Sequence, residues 1–245
     1  MLMKLSIIIP CYNEEGTIET LLSKVENVDI GEVNKQIIII DDGSTDKTGE
    51  IARDYTAKSA GKDVISISKK NGGKGSAIRE GLKNVHGDII IIQDADMEYD
   101  PNDYNKLLKP ILDGKSKVVY GSRFLGRSEK MYSLHAIGNK GLTWLFNFMF
   151  GSKLTDMETC YKMFTREVAD QLKLTANRFE IEPEITSQII KLGYNIQEVP
   201  INFKGRRFEE GKKITWRDGI KTAFYLVRYK FSRIQRKDTS SKENF

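Results

Sequence analysis

Through its first half the chain alternates short runs that are apolar throughout with longer stretches whose apolar positions recur every three or four residues. The short runs are KLSIIIP from Lys4, KQIIIID from Lys35, DVISIS from Asp63, GDIIIIQD from Gly87 and SKVVYGS from Ser116. Between them lie TIETLLSKVENV, DKTGEIARDYTAK, GSAIREGLKNV and NDYNKLLKPILDG. Uniformly apolar short runs predict strands covered on both faces, unlike the alternation of a half-exposed strand. The repetition of strand and helix predicts the α/β class: a Rossmann-like, mostly parallel sheet flanked by helices, with right-handed crossovers. Such a sheet binds ligands beyond the carboxyl ends of its strands. Here those ends carry Pro10-Cys11-Tyr12-Asn13-Glu14, Asp41-Asp42-Gly43-Ser44, Asp94-Ala95-Asp96 and Gly121-Ser122-Arg123, which should gather along one edge.

The second half is less regular. Residues 134 to 150 read as an aromatic helix, NRFEIEPEITSQIIKLGY as an amphipathic helix after Pro183, and NIQEVPINFKG as a strand whose Pro200 favours a sheet edge. From Trp216 onward, Ile220, Phe224, Val227, Phe231 and Ile234 recur at helical spacing with basic residues between them. The expected organisation is a catalytic domain over residues 1–215, a basic amphipathic helix over 216–237 and a disordered tail over 238–245. The most apolar stretch, LTWLFNFMFG, falls short of the ~18 residues of a membrane span. The first residues lack the charged region, long apolar region and cleavage site of a signal peptide.

Composition alters this picture through its distribution. The chain has 245 residues, 39% hydrophobic and 30% charged, with a formal charge of +5. Up to Asp156 the signs are mixed, whereas from Lys204 to Lys237 basic residues heavily outnumber acids. That asymmetry points to phosphate, nucleic acid or a membrane surface as partner, or to a solvated basic tail. No nucleic-acid recognition motif accompanies it, so no nucleic-acid partner is expected. Cys11 and Cys160 form no metal or redox spacing and fit a reducing, cytoplasmic compartment.

The acids that close the fourth strand raise the chemical question. If the strand continued, Asp94, Asp96 and Glu98 would point the same way. Like charges held together repel, unless a hard cation sits among their oxygens. Mg²⁺ or Mn²⁺ fits, being held by one or two carboxylates plus substrate phosphates. A solvated turn leading into a helix at Pro101 is the simpler reading of the same residues. Asp41 and Asp42 suit either a turn with Asp46 as helix cap or hydrogen bonds to a nucleotide's base and ribose. KKNGGKGSAIREG is a glycine-rich turn before a helix, with Lys74 available for a phosphate. It matches neither G-x-G-x-x-G nor the P-loop pattern.

Taken in order, IIIPCYNEE, IIIIDDGSTDKT, NGGKGSAIREGL, GDIIIIQDADMEYDP and VVYGSRF resemble the motifs of family 2 glycosyltransferases with the GT-A fold. LTDMETCYKMFTREV, NRFEIEPEI and EGKKITWRDG extend the likeness toward polyprenyl-phosphate sugar synthases of the dolichol-phosphate mannose and glucose type, over roughly residues 4 to 231. The resemblance implies inverting transfer of a hexose from a nucleotide-diphosphate sugar, GDP-mannose or UDP-glucose, to a lipid phosphate. It implies that Pro10, Tyr12, Glu14 and Asp42 contact base and ribose, with Lys74 and Asp94 completing the nucleotide site. Asp94, Asp96 and Glu98 would hold the cation, although some members carry Gln where Glu98 stands. Arg123, then Lys140 and Arg127, would hold the acceptor phosphate; relatives often show arginine near the place of Lys140. Asp156 matches an acid beside the acceptor, as base or orienting group, or it is a plain turn cap. The processive Q-x-x-R-W signature is absent. The aromatic helix and the basic helix fit peripheral attachment at the cytoplasmic face of a membrane, and plain core packing is the other reading of the first. A soluble sugar or glycan acceptor is the rival activity. A sugar-phosphate nucleotidyltransferase fits poorly, because CYNEEGT after the first strand is acidic.

Overall fold

The computed structural model describes residues 2–129, 133–205 and 216–232. The basic residues from Arg206 to Lys213, Ile234 and the expected tail 238–245 lie outside them.

In chain order the elements are β1 (Lys4–Cys11), α1 (Ile18–Asn27), β2 (Asn34–Asp41), α2 (Thr48–Lys58), β3 (Val64–Ser68), α3 (Lys74–Lys83), β4 (Ile89–Ile92) and α4 (Tyr104–Leu112). There follow β5 (Val118–Ser122), β6 (Ser128–Glu129), α5 (Ser133–Phe150), β7 (Lys162–Thr165), α6 (Arg166–Ala169), α7 (Ile181–Lys191), β8 (Gln197–Pro200), β9 (Phe203–Lys204) and α8 (Trp216–Phe231). A seven-stranded sheet has the order β3-β2-β1-β4-β7-β5-β8, and β6 pairs with β9. All pairings in the large sheet are parallel except those of β7, which runs antiparallel between β4 and β5. The isoleucine runs of β1, β2 and β4 are buried on both faces, as their uniform apolarity predicts. Helix α1 covers one face with Ile18, Leu21, Leu22 and Val25, the spacing of a single apolar stripe.

Two expectations need correction. First, β4 stops at Ile92 and the chain turns, with Met97 at φ 63°, so Asp94, Asp96 and Glu98 do not continue along one strand face. Second, α7 begins two residues before Pro183. A proline in the first turn gives up only an N–H that would have no helical partner. Nearly every residue of α7 is buried, so it is a core helix rather than an amphipathic one. On α8 the stripe that the sequence displays is the face left outside. Leu226 and Tyr229 are buried, whereas Phe224, Val227 and Phe231 are 69%, 48% and 80% exposed. Leu226 joins Phe146, Leu154 and Met157 in a second small core beneath α5. Pro200 ends β8 at the sheet edge, where a missing N–H costs least.

Candidate active site

The loops after β1 and β2 are laced together. Asn13, at φ 52°, accepts from Thr45 N at 2.8 Å through its side chain, and its own N–H donates to Ser44 Oγ at 3.0 Å. Glu14 N donates to Thr48 Oγ1 at 2.8 Å, and Asp41 Oδ1 accepts from Ser44 N. The result is a rigid shelf carrying Pro10, a partly exposed Tyr12 and the buried Glu14.

Asp42 is tied down within the protein at the end of β2. Its carboxylate takes the Lys69 ammonium at 2.6 Å and the backbone N–H groups of Gly72 and Gly73 at 3.0 and 2.6 Å. An ionised carboxylate that accepts this many bonds is an anchor, here pinning the glycine turn against the end of β2. Gly73 sits at φ 91°, and a Cβ there would stand 2.6 Å from Asn177 O. Only glycine allows both that backbone conformation and that close approach. The turn thus delivers Lys74 as the first residue of α3.

The Lys74 ammonium lies 2.7 Å from Asp94 Oδ1 and 3.0 Å from Glu182 Oε1. Burial disfavours its charge, but Asp94, Cys160 and Glu182 outweigh that effect and its pKa rises well above the ordinary lysine value. Asp96 Oδ1 accepts from Glu98 N at 3.1 Å, which fixes the turn. Behind it, Gln93 closes the isoleucine run fully buried, its Oε1 accepting from Tyr104 and Tyr161 hydroxyls at 2.7 Å each. These bonds hold the strand end that presents the acids.

At the end of β5, Arg123 and Asp156 form a fork. Arg123 Nε and Nη2 donate to the two Asp156 oxygens at 2.7 Å each, and Arg123 N donates at 3.0 Å. Asp156 is fully buried and Arg123 nearly so. Glu198 accepts from the Thr155 and Asp156 N–H groups and orients the segment. The arginine chosen for a phosphate therefore spends its fork on Asp156, and the cap reading of Asp156 gives way to an ion pair. Lys140 is exposed on α5, 5.0 Å from the centre of the Phe124 ring, and Arg127 is exposed. A groove of about 320 Å³ is lined by Phe124, Leu125, Lys140, Trp144, Asn147 and Thr155 among others. Ile137, Trp144 and Phe148 of α5 stand 66%, 68% and 78% exposed beside it.

Residues 6–173 match the profile of glycosyl transferase family 2. This chain belongs to that family. Its relatives include a dolichol-phosphate mannosyltransferase of Pyrococcus furiosus, 32% identical over 86% of this chain and 59% of its own length. A UDP-N-acetylglucosamine–dolichyl-phosphate N-acetylglucosaminyltransferase of Methanococcus voltae is 29% identical over 93% of this chain and 96% of its own. Glucosyl-3-phosphoglycerate synthase of Mycobacterium tuberculosis, solved with Mn²⁺, UDP and glucosyl-3-phosphoglycerate, shares the fold. Its TM-score is 0.69 at 21% identity, over 97% of this chain and 82% of that one. The mostly parallel sheet flanked by helices is thus the GT-A-like arrangement of a family 2 glycosyltransferase.

Among the described residues of this family 2 glycosyltransferase, no three His, Cys, Asp or Glu side chains gather as a metal cluster. The trio expected from Asp94, Asp96 and Glu98 is not assembled. What the strand edge offers is one or two hard carboxylate oxygens, which fits Mg²⁺ or Mn²⁺ completed by diphosphate oxygens and not a closed protein cage.

Sequence reasoning passed over Lys69, Gln93, Lys162, Glu182 and Glu198. Gln93 was detectable as a polar residue closing an apolar run. Lys69, Glu182 and Glu198 sit in loop, helical and edge contexts where a charge normally faces water, and Lys162 opens a short strand that no local pattern marks.

Proposed function

We propose that this transferase moves a hexose, with inversion, from a nucleoside-diphosphate sugar to the phosphate of a polyprenyl lipid at a membrane surface. One observation carries the reading: Phe124 and Thr155, each next in sequence to the Arg123–Asp156 pair, wall an aromatic groove that opens among exposed Trp144 and Phe148. A soluble phosphorylated acceptor has no use for such surroundings; a lipid tail does. The dolichyl-phosphate relatives support the acceptor class, and the Mn²⁺ and UDP in the mycobacterial structure support the donor side.

In this reading Pro10, Tyr12 and Glu14 form the shelf for base and ribose, with Asp42 fixing the turn beneath. Lys74 and Asp94 flank the diphosphate. Asp94 and Asp96 would hold the cation, with Glu98 a further candidate. When bound, Mg²⁺ or Mn²⁺ would neutralise the charge that develops on the leaving diphosphate. Lys140 would meet the acceptor phosphate at the groove, with Arg127 and Arg123 as the further basic groups on this side. The acceptor is already nucleophilic, since a phosphate monoester has a second pKa of about 6. No strong base is therefore required, and Asp156, saturated by Arg123, orients the acceptor side instead. The donors we favour are GDP-mannose and UDP-glucose.

The membrane assignment rests on α5 and α8, which pack side by side through Phe146 and Leu226. Phe224, Val227 and Phe231 are exposed on α8 along with Lys221, Arg228 and Lys230. Aromatic and basic groups so arranged suit an anionic bilayer surface. No helix among the described residues is long and apolar enough to cross one.

The test offers radiolabelled nucleotide sugars together with a short polyprenyl phosphate or with 3-phosphoglycerate, in Mg²⁺ or Mn²⁺. Label extracted into organic solvent is the expected outcome. Label confined to the aqueous phosphoglycerate product would replace the lipid reading with a soluble-acceptor transferase.

A further inference from the structure

Behind the open edge lies a buried series of alternating charges that the reaction outlined above does not explain. Asp94 pairs with Lys74, Lys74 with Glu182, and Glu182 with Lys162. Lys162, the first residue of β7, is fully buried. Its ammonium is fixed by Glu182 Oε2 at 2.6 Å and by the carbonyls of Met157 and Thr159. Glu182, in the first turn of α7, is 3% exposed. With two acids and two lysines the series is neutral, and each buried charge has a partner.

The two contacts of Lys74 are unequal. Toward Asp94 the ammonium touches both oxygens, at 2.7 and 3.0 Å, and donates a hydrogen bond. Toward Glu182 it makes a single contact, 3.0 Å from Oε1, and that buried oxygen has no other donor among the described residues. Lysine is a point charge on a flexible stem and can redistribute between two such acceptors. A divalent ion at Asp94 would stand against an ammonium already in contact with the same carboxylate. Cation and lysine therefore compete for Asp94 unless another anion takes the lysine.

Resting on the donor reading above, we propose that Lys74 is a resident counter-ion that occupies Asp94 in the empty enzyme and yields it to a divalent cation only when a diphosphate arrives. The incoming phosphate oxygens draw the ammonium off Asp94, while Glu182 Oε1 keeps it beside the site. Glu182 is then a positioning residue. It sets where Lys74 rests without touching donor or cation, and Lys162 holds Glu182 in place. Free cation should bind weakly, and cation and nucleoside diphosphate should each strengthen the other's binding, as linkage requires.

The test is a titration of Mn²⁺ followed by the electron paramagnetic resonance of the free ion, alone and with saturating UDP or GDP. Wild type should bind Mn²⁺ alone poorly and much more tightly with nucleotide. Lys74→Met should bind Mn²⁺ alone about tenfold more tightly than wild type, and the gain on adding nucleotide should shrink by a similar factor. Glu182→Gln should move the other way, because Lys74 then gives its charge wholly to Asp94. Lys74→Arg should resemble wild type. A purely structural role for these groups predicts weaker Mn²⁺ binding in both Lys74→Met and Glu182→Gln. Should Glu182→Gln fail to fold, as judged by thermal melting, Lys74→Met decides alone. Unchanged or weaker binding of Mn²⁺ alone by Lys74→Met overturns the proposal and leaves the donor reading standing. Absence of Mn²⁺ binding in wild type with either nucleotide overturns both.

Discussion

Arg123 and Asp156 show how much one buried pair can decide. The guanidinium fork meets the carboxylate with near-parallel bonds of 2.7 Å, and both groups are sealed from water. Removing one partner leaves the other charged and uncompensated, so Arg123→Ala should lose roughly 3–5 kcal/mol of stability, measured by urea melting. Arg123→Lys should recover only part of this, because a point charge cannot replace a planar fork. A loss below ~1 kcal/mol in Arg123→Ala would show that the pair is solvated in solution. Glu158 gives a second prediction. It is raised to about 7 because burial outweighs Lys162, and one of its oxygens is sealed without a hydrogen-bond partner. An acid whose folded pKa exceeds its unfolded value binds its proton more tightly when folded. Its contribution to stability therefore falls as pH rises from the ordinary carboxylate range through about 7. Glu158→Gln should flatten that slope in melting temperatures taken from pH 4.5 to 8; an unaltered slope would assign it to other groups. The strand-end acids themselves were legible in the sequence, because the α/β rule places strand ends together. Their partners were not. Asp42 is held by Lys69, Gly72 and Gly73 about 30 positions on, and Arg123 by Asp156 at 33.

At the scale of elements, the sequence reveals those whose periodicity is strong and local. The isoleucine strands and α1 follow from runs and stripes that no other element competes for. β7 was missed because it is four residues long, carries a lysine, and takes its antiparallel place between β4 and β5 only through the tertiary fold. α8 was legible as a helix with an apolar stripe, but the side that packs on the body was not. Its conspicuous stripe of Phe224, Val227 and Phe231 stays exposed, while a narrower edge through Thr222, Leu226 and Tyr229 packs on the body. This separation predicts opposite behaviour for substitutions on the two faces. Leu226→Ala should cost about 2–5 kcal/mol, the usual range for an emptied core site. Phe224→Ser with Phe231→Ser should leave the melting temperature nearly unchanged and sharply reduce sedimentation with anionic liposomes. Undiminished liposome binding in that double variant would remove α8 from the membrane surface.

The whole molecule is a sheet that spends its stability on presenting one edge. Apolar strands under helices hold the β1 and β2 shelf, the glycine turn and the β4 acids in fixed relation, and the second core under α5 and α8 sets an aromatic groove beside them. Neighbouring charges at such an edge are a liability in an empty protein, and the pairing of Asp94 with Lys74 is how this chain manages it. We propose above that a cation assists transfer of a hexose onto a lipid phosphate, with Asp96 among its holders. The most direct test is organic-extractable label formed from the nucleotide-sugar panel and polyprenyl phosphate by wild type and by Asp96→Ala, each with Mn²⁺ and with EDTA. Label is expected for wild type with Mn²⁺ alone, and background for EDTA and for a variant whose melting temperature is intact. Undiminished label from Asp96→Ala would contradict it.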